Sequence, residues 1–223
     1  MKRVLVSWSS GKDSAWTLHV LRRQPDVEVC ALLTTFNEAA GRAAMHGVRA
    51  DLVRAQAEAA GLPLWDVPLP SPCSNTEYES RMAAAIARAR AERFTHVAFG
   101  DLFLEDVRRY REDRLAGTGL EPLFPVWGRD TRDLAREMLR GGLRAILTCT
   151  DPRHVPRGLA GRDYDERLLG DLPPGVDPCG ERGEFHTFAW SGPMFQAPVA
   201  VERGETVERD GFVFTDLLRQ TRP

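Results

Sequence analysis

A short run of small and polar residues between an apolar strand and a helix is the feature that most constrains this chain. Val4-Leu5-Val6 has the pattern of a buried strand, residues 9–14 read Ser-Ser-Gly-Lys-Asp-Ser, and residues 15–23 have a helical pattern. A turn of this kind aims backbone N–H groups and the positive end of the helix at one point. We therefore predict an anion site, with a phosphate as its usual occupant.

The rest of the first half alternates apolar runs with helical patterns. This rhythm predicts a parallel sheet with right-handed crossovers and helices on both faces, a Rossmann-like α/β fold. Ligands in such sheets lie beyond the carboxyl ends of the strands, where Thr34-Thr35 and Gly100-Asp101 would join the loop. The predicted strands cover residues 27–35, 64–69 and 95–99, and the predicted helices cover residues 48–60 and 75–93.

The second half lacks the regular alternation of strands and helices seen in the first half. Glu121-Pro122 and Pro125 break the chain, a helix is predicted over residues 130–140, and a strand over 145–150. The tail from Glu184 to Leu218 has the pattern of β-strands joined by turns. We therefore predict an α/β domain over residues 1–125 and a smaller α+β domain over residues 126–223, and the β-rich tail is compatible with a homodimer contact.

Charge and composition exclude several classes of protein. The formal net charge is −2, so no global basic field attracts nucleic acid or anionic membranes. No apolar run approaches the roughly 18 residues of a membrane-spanning helix, and no signal peptide is evident, so we expect a cytoplasmic protein. The four cysteines are scattered without a C-x-x-C pair, which argues against a zinc site or a disulfide framework.

Lys12 sets the loop apart from an ordinary tight turn between strand and helix. The chain has only two lysines among its 30 basic residues, so a lysine inside this loop is unusual, and its compact ammonium suits a phosphate contact. The common phosphate loop G-x-x-x-x-G-K-[ST] fits badly. Its first glycine would fall at Val6, and Asp13 stands where Ser or Thr is required.

Two further segments carry charge after Gly100. Asp101 either holds Mg²⁺ against phosphates or caps the next helix, and both alternatives are open on sequence alone. In the run 105–112, helical spacing places Glu105, Arg109 and Glu112 on one face. Such a run is most often a solvated helix face with exposed ion pairs.

A third segment, residues 177–187, reads Asp-Pro-Cys-Gly-Glu-Arg-Gly-Glu-Phe-His-Thr. Its glycines and its two glutamates, Glu181 and Glu184, lead into a predicted strand. The segment either brings carboxylates and His186 to a cleft or is simply the glycine-rich start of a hairpin.

Taken together and in this order, the three segments resemble the diphthine–ammonia ligase family of the ATP pyrophosphatases. The segments that carry the resemblance are the loop, Gly100-Asp101 with the arginine-rich run and Gly-Leu-x-Pro-Leu…Trp, and Cys-Gly-Glu-x-Gly-Glu-aromatic-x-Thr. The likeness extends from Val4 to about Phe195. It implies ATP and Mg²⁺ as cofactors, attack of a substrate oxygen on the α-phosphate, and release of pyrophosphate held by the loop.

The resemblance also assigns residues. Pyrophosphate would be bound by Ser9, Ser10, Gly11, Lys12, Asp13 and Ser14, with Gly100 and Asp101 bordering nucleotide and metal. In α/β folds of this kind adenine is often recognised by backbone groups at the end of the second strand, here Thr34, Thr35 and Phe36, and Met45 and His46 are candidates to pack on the base. Catalytic roles fall to Lys12, Asp13, Asp101, Glu181 and Glu184, and substrate contacts to Arg109, Glu112, Trp127, His186 and Thr187.

Ser10 and His186 depart from the family pattern, which has glycine and commonly glutamate at these positions.

The implied reaction adenylylates a small-molecule or protein carboxylate and then transfers ammonia to it. The arginine and alanine excess suggests a bacterial source, which would imply a substrate other than diphthine. No segment resembles a glutaminase domain, so we expect free ammonia or a partner to supply the nitrogen.

Two other functions remain open. One is a tRNA-modifying enzyme of the same superfamily, with Cys73 and Cys179 as candidates for sulfur delivery. The near-neutral charge argues against nucleic acid as a partner. The other is an adenine nucleotide sensor without catalysis.

Overall fold

The structure, a computed structural model, describes residues 1–43 and 47–220, so Met45 and His46 lie outside the described residues. The first half contains β1 (Lys2–Ser7), α1 (Lys12–Arg22), β2 (Val27–Asn37), β3 (Arg42–Ala43), α2 (Ala50–Ala60), β4 (Leu64–Leu69), α3 (Asn75–Ala91), β5 (His96–Ala98), α4 (Glu105–Leu115) and β6 (Glu121–Leu123). The second half contains α5 (Thr131–Arg140), β7 (Arg144–Thr150), α6 (Glu166–Asp171), β8 (Phe185–Ser191), β9 (Val201–Arg209) and β10 (Phe212–Arg219), with a 3₁₀ turn at Arg157–Leu159.

The first sheet is mostly parallel and confirms the predicted α/β class. Its strand order is β3-β2-β1-β5-β6, with β4 also paired to β2. The central strands are apolar without alternation because helices cover both of their faces. Ser7 pairs with Leu33, and Val6 pairs with Ala98, so the carboxyl ends of β1, β2 and β5 lie side by side.

Two hydrophobic cores lie on opposite faces of this sheet. One face, with Leu5, Leu33 and Val97, packs against α3 and α4. The other face packs against α1 and α2, and the same core continues without interruption into Ile146 and Phe188 of the second half. The two halves are therefore joined by buried apolar surface.

The second sheet is antiparallel, in the order β8-β7-β10-β9. Asp216 on β10 ties this sheet to the first half, because it accepts hydrogen bonds from Arg42 at 2.8 Å and from Arg49 at 2.6 Å. Although burial opposes it, the two guanidinium groups lower the pKa of Asp216 to about 2. This ion triad fixes the β2–β3 segment against the second sheet.

The chain break predicted at Glu121-Pro122 is wrong, because these residues belong to β6. Proline cannot donate to a ladder, and β6 is an edge strand, where one missing N–H is tolerated. Helix α6 was not predicted, although Asp165 caps its start and accepts the Leu168 N–H. The division near residue 125 stays a prediction. Within residues 1–43 and 47–220, no helix is both long and apolar enough to cross a bilayer.

Candidate active site

The loop of residues 9–14 turns the chain from β1 into α1, and its own hydroxyl groups fix its shape. Ser9 Oγ lies 3.1 Å from Ser14 Oγ and accepts a hydrogen bond from the Gly11 N–H at 3.3 Å. Ser14 Oγ also donates to the Gly11 carbonyl at 3.0 Å. The first N–H groups of α1 have no acceptor within the helix, and Thr187 accepts only that of Lys12, so the others are candidate donors to an anion and the anion site stays a prediction.

Ser10 holds the one strained backbone position of this loop. Its φ is 68°, in the left-handed region that disfavours a side chain, and the residue is fully buried. Its hydroxyl oxygen has no hydrogen-bond partner in the described part of the chain. The glycine typical of the family at this position therefore has a conformational reason, and this chain tolerates strain there.

A clamp from outside the loop holds its backbone. Gln56 on α2 donates to the Ser10 carbonyl at 2.9 Å and to the Ala189 carbonyl at 2.6 Å, while its own oxygen accepts from Trp8 at 2.9 Å. On the other side, the Ala189 N–H donates to the Ser10 carbonyl at 2.9 Å, and the Lys12 N–H donates to Thr187 Oγ1 at 3.1 Å. Strand β8 of the second half thus closes over the start of α1.

The ammonium group of Lys12 points toward the second half of the chain. Nζ donates to the Cys179 carbonyl and, at 2.9 Å, to Asp13 Oδ2, and it lies 5.5 Å and 5.4 Å from the ring centres of Tyr164 and Phe185. Burial alone would lower the pKa of Lys12, but the Asp13 carboxylate holds it above the ordinary value, so the ammonium stays charged. A direct phosphate contact by Nζ would require it to leave these partners.

Gly100 brings the end of β5 into contact with the loop. A Cβ at Gly100 would lie 3.0 Å from the Asp13 carbonyl carbon and the Ser14 nitrogen, closer than most Cβ atoms approach another atom, so the backbone would have to shift by a few tenths of an ångström. Asp101 follows at once. The N-cap of α4 is Leu104, so the capping alternative for Asp101 is wrong.

Several buried polar atoms beside the loop lack a hydrogen-bond partner within residues 1–43 and 47–220. They are Asp13 Oδ1, Asp101 Oδ2 and Arg111 Nε. Arg111 Nε lies 3.5 Å from Asp101 Oδ2, so the two groups form an ion pair without a well-formed hydrogen bond. Unpaired buried polar atoms are costly, so Asp13 Oδ1 and the Asp101–Arg111 pair are candidates for completion by a ligand.

Mg²⁺ usually takes one or two carboxylates and completes its shell with water and phosphate oxygens. The unpaired oxygens of Asp13 and Asp101 fit that requirement. In the part of the chain that the structure describes, no group of three or more His, Cys, Asp and Glu side chains could hold a metal ion by itself. The donor set therefore suits a metal that arrives with a nucleotide.

The segment 177–184 separates its two glutamates by role. Glu184 is buried, and its two oxygens accept the N–H groups of Asp177 at 3.0 Å and Arg182 at 2.9 Å, so it shapes the segment. Glu181 Oε1 instead accepts the Leu102 N–H at 2.7 Å, across to the end of β5. Burial, reinforced by the nearby Asp13 carboxylate, raises the pKa of Glu181 to about 7.

His186 and Thr187 lie at the start of β8. Thr187 is buried against the loop, as the hydrogen bond from Lys12 shows. Burial and, to a smaller extent, the Lys12 charge lower the pKa of His186 to about 4, so its imidazole is neutral at pH 7. A group with this pKa is a weaker base than Glu181 at neutral pH.

A cavity of about 760 Å³ opens at the carboxyl ends of the strands, beside the loop. Ser7, Trp8, Ser9 and Thr35 line its mouth. Its interior is lined by apolar side chains of the sheet, α3 and α4, together with polar side chains of the two helices. This volume and composition are typical of small-molecule sites.

The three residues expected to recognise adenine lie in different environments. Thr35 lines the cavity. Thr34 also borders it, but its hydroxyl donates to the Trp8 carbonyl at 2.7 Å and ties β2 to β1. Phe36 packs in the core on the other face of the sheet. The expected recognition of adenine by the backbone groups of these three residues stays a prediction.

The substrate contacts expected on α4 lie outside the cavity lining. Arg109 and Glu112 are exposed, and Glu112 pairs with Arg108 at 2.8 Å. Trp127 packs under the Arg108 guanidinium, which lies 4.9 Å from its ring centre. The arginine of α4 that lines the cavity and reaches Asp101 is Arg111, which the sequence pattern did not single out.

Comparison with known proteins agrees with this arrangement. Residues 1–120 match the family model described as the diphthamide synthase N-terminal domain, and residues 130–220 match the diphthamide synthase C-terminal domain. The chain belongs to the diphthamide synthase family.

Similar curated proteins carry the name diphthine–ammonia ligase. The protein of Rattus norvegicus is 29% identical over 66% of this chain and 58% of its own length. The proteins of Danio rerio and Homo sapiens are 34% and 32% identical over 53% and 52% of this chain, covering 50% and 46% of their own lengths. The chain thus spans about half the length of these relatives.

In this diphthamide synthase family member, the site residues that were not predicted from the sequence are mainly those whose hydrogen bonds fix the loop of residues 9–14 and the segment 177–184. Gln56 stands four residues after Leu52, on the buried side of α2, and a glutamine at an apolar helical position was an available signal. Asp177 was visible in the third segment, and its carboxylate accepts the Glu181 N–H at 2.9 Å. No local pattern distinguishes Arg111 from its neighbouring arginines.

Proposed function

We propose that this chain is an ATP-dependent amide-forming ligase. It adenylylates a substrate carboxylate, releases pyrophosphate, and transfers ammonia to the activated acyl group. The observation that carries the proposal is that a loop at a helix start, with unpaired carboxylate oxygens at Asp13 and Asp101, adjoins a cavity that Ser9 and Arg111, the ion-pair partner of Asp101, line. The family match and the names of the relatives support the same class of reaction.

In the first step, a substrate carboxylate oxygen forms a bond to the α-phosphorus of ATP as the bond to the β-phosphate oxygen breaks. The loop N–H groups stabilise the charge that develops on the departing pyrophosphate. Preorganised donors of this kind are typically worth about 3–4 kcal/mol each. Lys12 adds positive charge from its buried position and orients Asp13.

Asp13 and Asp101 would hold Mg²⁺ with their unpaired oxygens. When bound, this ion neutralises part of the phosphate charge. Arg111, which lines the cavity, forms an ion pair with Asp101 and would help to hold that carboxylate in place.

In the second step, the nitrogen of ammonia forms the amide bond to the acyl carbon while AMP leaves. We assign Glu181 as the base that takes the proton lost by nitrogen. Its Oε1 is fixed by Leu102, whereas both oxygens of Glu184 are occupied by backbone N–H groups. A pKa of about 7 suits general-base catalysis near neutral pH.

The alternative of sulfur delivery to tRNA finds little support in the cysteines. Cys179 is buried, its thiol donates to the Thr131 carbonyl, and burial raises its pKa to about 12. A thiol in this state is a poor nucleophile because the thiolate is the reactive form. Cys73 is exposed on the loop before α3.

The test is phosphorus NMR of the protein with Mg-ATP, ammonium and a pool of cellular carboxylic acids. Formation of AMP and pyrophosphate that depends on both the acids and ammonium is the expected result. Formation of ADP and phosphate would overturn the proposal. ATP binding without any turnover, in the presence of the acid that binds most tightly, would favour a nucleotide sensor.

Asp13→Asn provides the matched variant for this assay. It preserves the shape of the side chain but removes the charge paired with Lys12, so we expect turnover to fall by at least about 100-fold. Asp106→Asn, on the exposed surface of α4, is the control and should leave turnover unchanged.

A further inference from the structure

The inner part of the cavity is a groove between α3, α4 and one face of the first sheet. We call it the apolar groove and define it by six side chains. They are Leu5, Leu33 and Val97 on the sheet, Met82 and Ile86 on α3, and Leu115 on α4. The groove starts at the cavity mouth beside the loop and runs toward Arg90 and Thr118 near the far ends of the two helices.

The chemistry of the lining limits what can fill the apolar groove. None of the six side chains that define it carries a hydrogen-bonding group, and the strand backbone along the floor is paired within the sheet. A purine placed among these side chains would leave ring nitrogens and an amino group unpaired, at a cost of about 1–3 kcal/mol for each buried group. Adenine therefore suits the mouth, where backbone groups and Thr35 lie, and the groove suits an apolar occupant.

Arg111 connects the apolar groove to the proposed reaction centre. It lines the cavity, its guanidinium lies 5.0 Å from the ring centre of Phe99, and its Nε is 3.5 Å from Asp101 Oδ2. Nε has no hydrogen-bond partner among the described residues. A planar guanidinium with an unused Nε donor is suited to a carboxylate.

We propose that the apolar groove binds the hydrocarbon body of a monocarboxylic acid, whose carboxylate pairs with Arg111. The acid would then present its carboxylate beside Asp101, next to the loop that binds the phosphates. Reaction of this acid rests on the proposed function, but its binding does not. The substrate class is thus a carboxylic acid with an apolar body.

The test is calorimetric titration of the full chain with butanoate, hexanoate and octanoate, without ATP. Each added methylene that enters the groove should tighten binding about fourfold, the equivalent of about 0.8 kcal/mol per buried CH₂. Affinity that does not change with chain length would overturn the inference.

Two alanines on α3 provide a matched pair of variants. Ala83 lines the cavity, whereas its neighbour Ala84 does not, and both are exposed, so a large side chain is tolerated at either position. Ala83→Trp should fill the groove and weaken octanoate binding at least tenfold, and Ala84→Trp should leave it unchanged. Equal effects of the two substitutions would contradict the inference.

Arg111→Gln should weaken the binding of butanoate and of octanoate by the same factor, because it removes the carboxylate contact and leaves the apolar groove intact. Adenosine is the competing ligand. If adenosine displaces octanoate, and Ala83→Trp weakens adenosine binding, the apolar groove binds adenine and the inference fails.

The two proposals fail in different ways. Octanoate that binds in the expected pattern but never yields AMP would overturn the ligase reaction and leave the groove assignment standing. AMP formation with acids that bind without dependence on chain length or on Ala83 would overturn the groove assignment alone.

Discussion

The two sides of the loop of residues 9–14 differ in how completely their polar groups are satisfied. On the clamp side, Gln56, Thr187 and Ala189 give the loop backbone well-formed hydrogen bonds. On the side of β5, oxygens of Asp13 and Asp101 are buried without hydrogen-bond partners in the described residues. The clamp side holds the loop rigid, and the other side retains unused binding capacity.

This difference indicates where ligands act. A folded chain tolerates unpaired buried polar atoms when something outside the chain completes them. Rigid support on one side keeps those atoms in place, which lowers the free-energy cost of binding. Substitutions that change one side of the loop at a time can therefore separate effects on the stability of the loop from effects on catalysis.

The largest effect is expected from Glu181→Gln, which acts on the unsatisfied side. Loss of a general base should lower ligase turnover by about 10²–10⁴-fold. Because burial raises the pKa of Glu181 to about 7, wild-type activity should rise as pH increases through 7 and the carboxylate loses its proton. The variant should lack this rise, as measured by AMP release from pH 5.5 to 8.5.

Glu105→Gln, on the exposed start of α4, is the control for this pH profile. If Glu181→Gln keeps the wild-type profile, another group is the base.

A smaller loss is expected from Gly100→Ala, which pushes β5 away from the loop. The added methyl group would meet backbone atoms of Asp13 and Ser14 at 3.0 Å, and backbone cannot move aside as a flexible side chain can. A misplacement of about 1 Å can cost about 10²-fold in turnover, so we expect this smaller shift to cost about tenfold. Gly158→Ala is the matched control, since no atom lies within 4 Å of its added Cβ. Equal turnover of the two variants would contradict the close-approach argument.

Substitutions on the clamp side should lower the stability of the fold more than the catalytic turnover. Gln56→Ala removes a buried side chain that makes three hydrogen bonds and leaves the partners at Trp8, Ser10 and Ala189 with fewer contacts. We expect the free energy of unfolding to fall by about 2–3 kcal/mol, as measured by urea denaturation. Gln24→Ala is the control, because Gln24 lies at a partly exposed turn after α1. A loss below about 0.5 kcal/mol would show that the clamp adds little.

The smallest effect is expected from Ser10→Gly, which relieves strain inside the loop. At φ 68°, a side chain costs about 1–2 kcal/mol relative to glycine, and the substitution also removes an unpaired buried hydroxyl. We expect the free energy of unfolding to rise by about 1 kcal/mol, because the small void left behind offsets part of the gain. Ser10→Ala serves for comparison, since it removes the hydroxyl but keeps the strained Cβ. Lower stability of the glycine variant than of the alanine variant would contradict the strain argument.

Local patterns predicted most of the first half correctly. Strand β4 was predicted at its observed bounds, and α3 within two residues of its end, because periodicity and helix signals are properties of neighbouring residues. Strand β6 was missed because a proline at position 122 normally breaks a strand, and only its edge position permits one. The third segment was correctly singled out, but the separate roles of Glu181 and Glu184 were not.

The sequence by itself determined the parallel sheet, the position of the loop and the family, since each depends on residues close together along the chain or on motif order. Tertiary structure alone decided which residues support the loop and which face the cavity. Lys12 meets Thr187 across 175 positions, and Leu102 meets Glu181 across 79. No local pattern encodes such pairings, because the packing of β8 and the 177–184 segment against the end of the parallel sheet creates them.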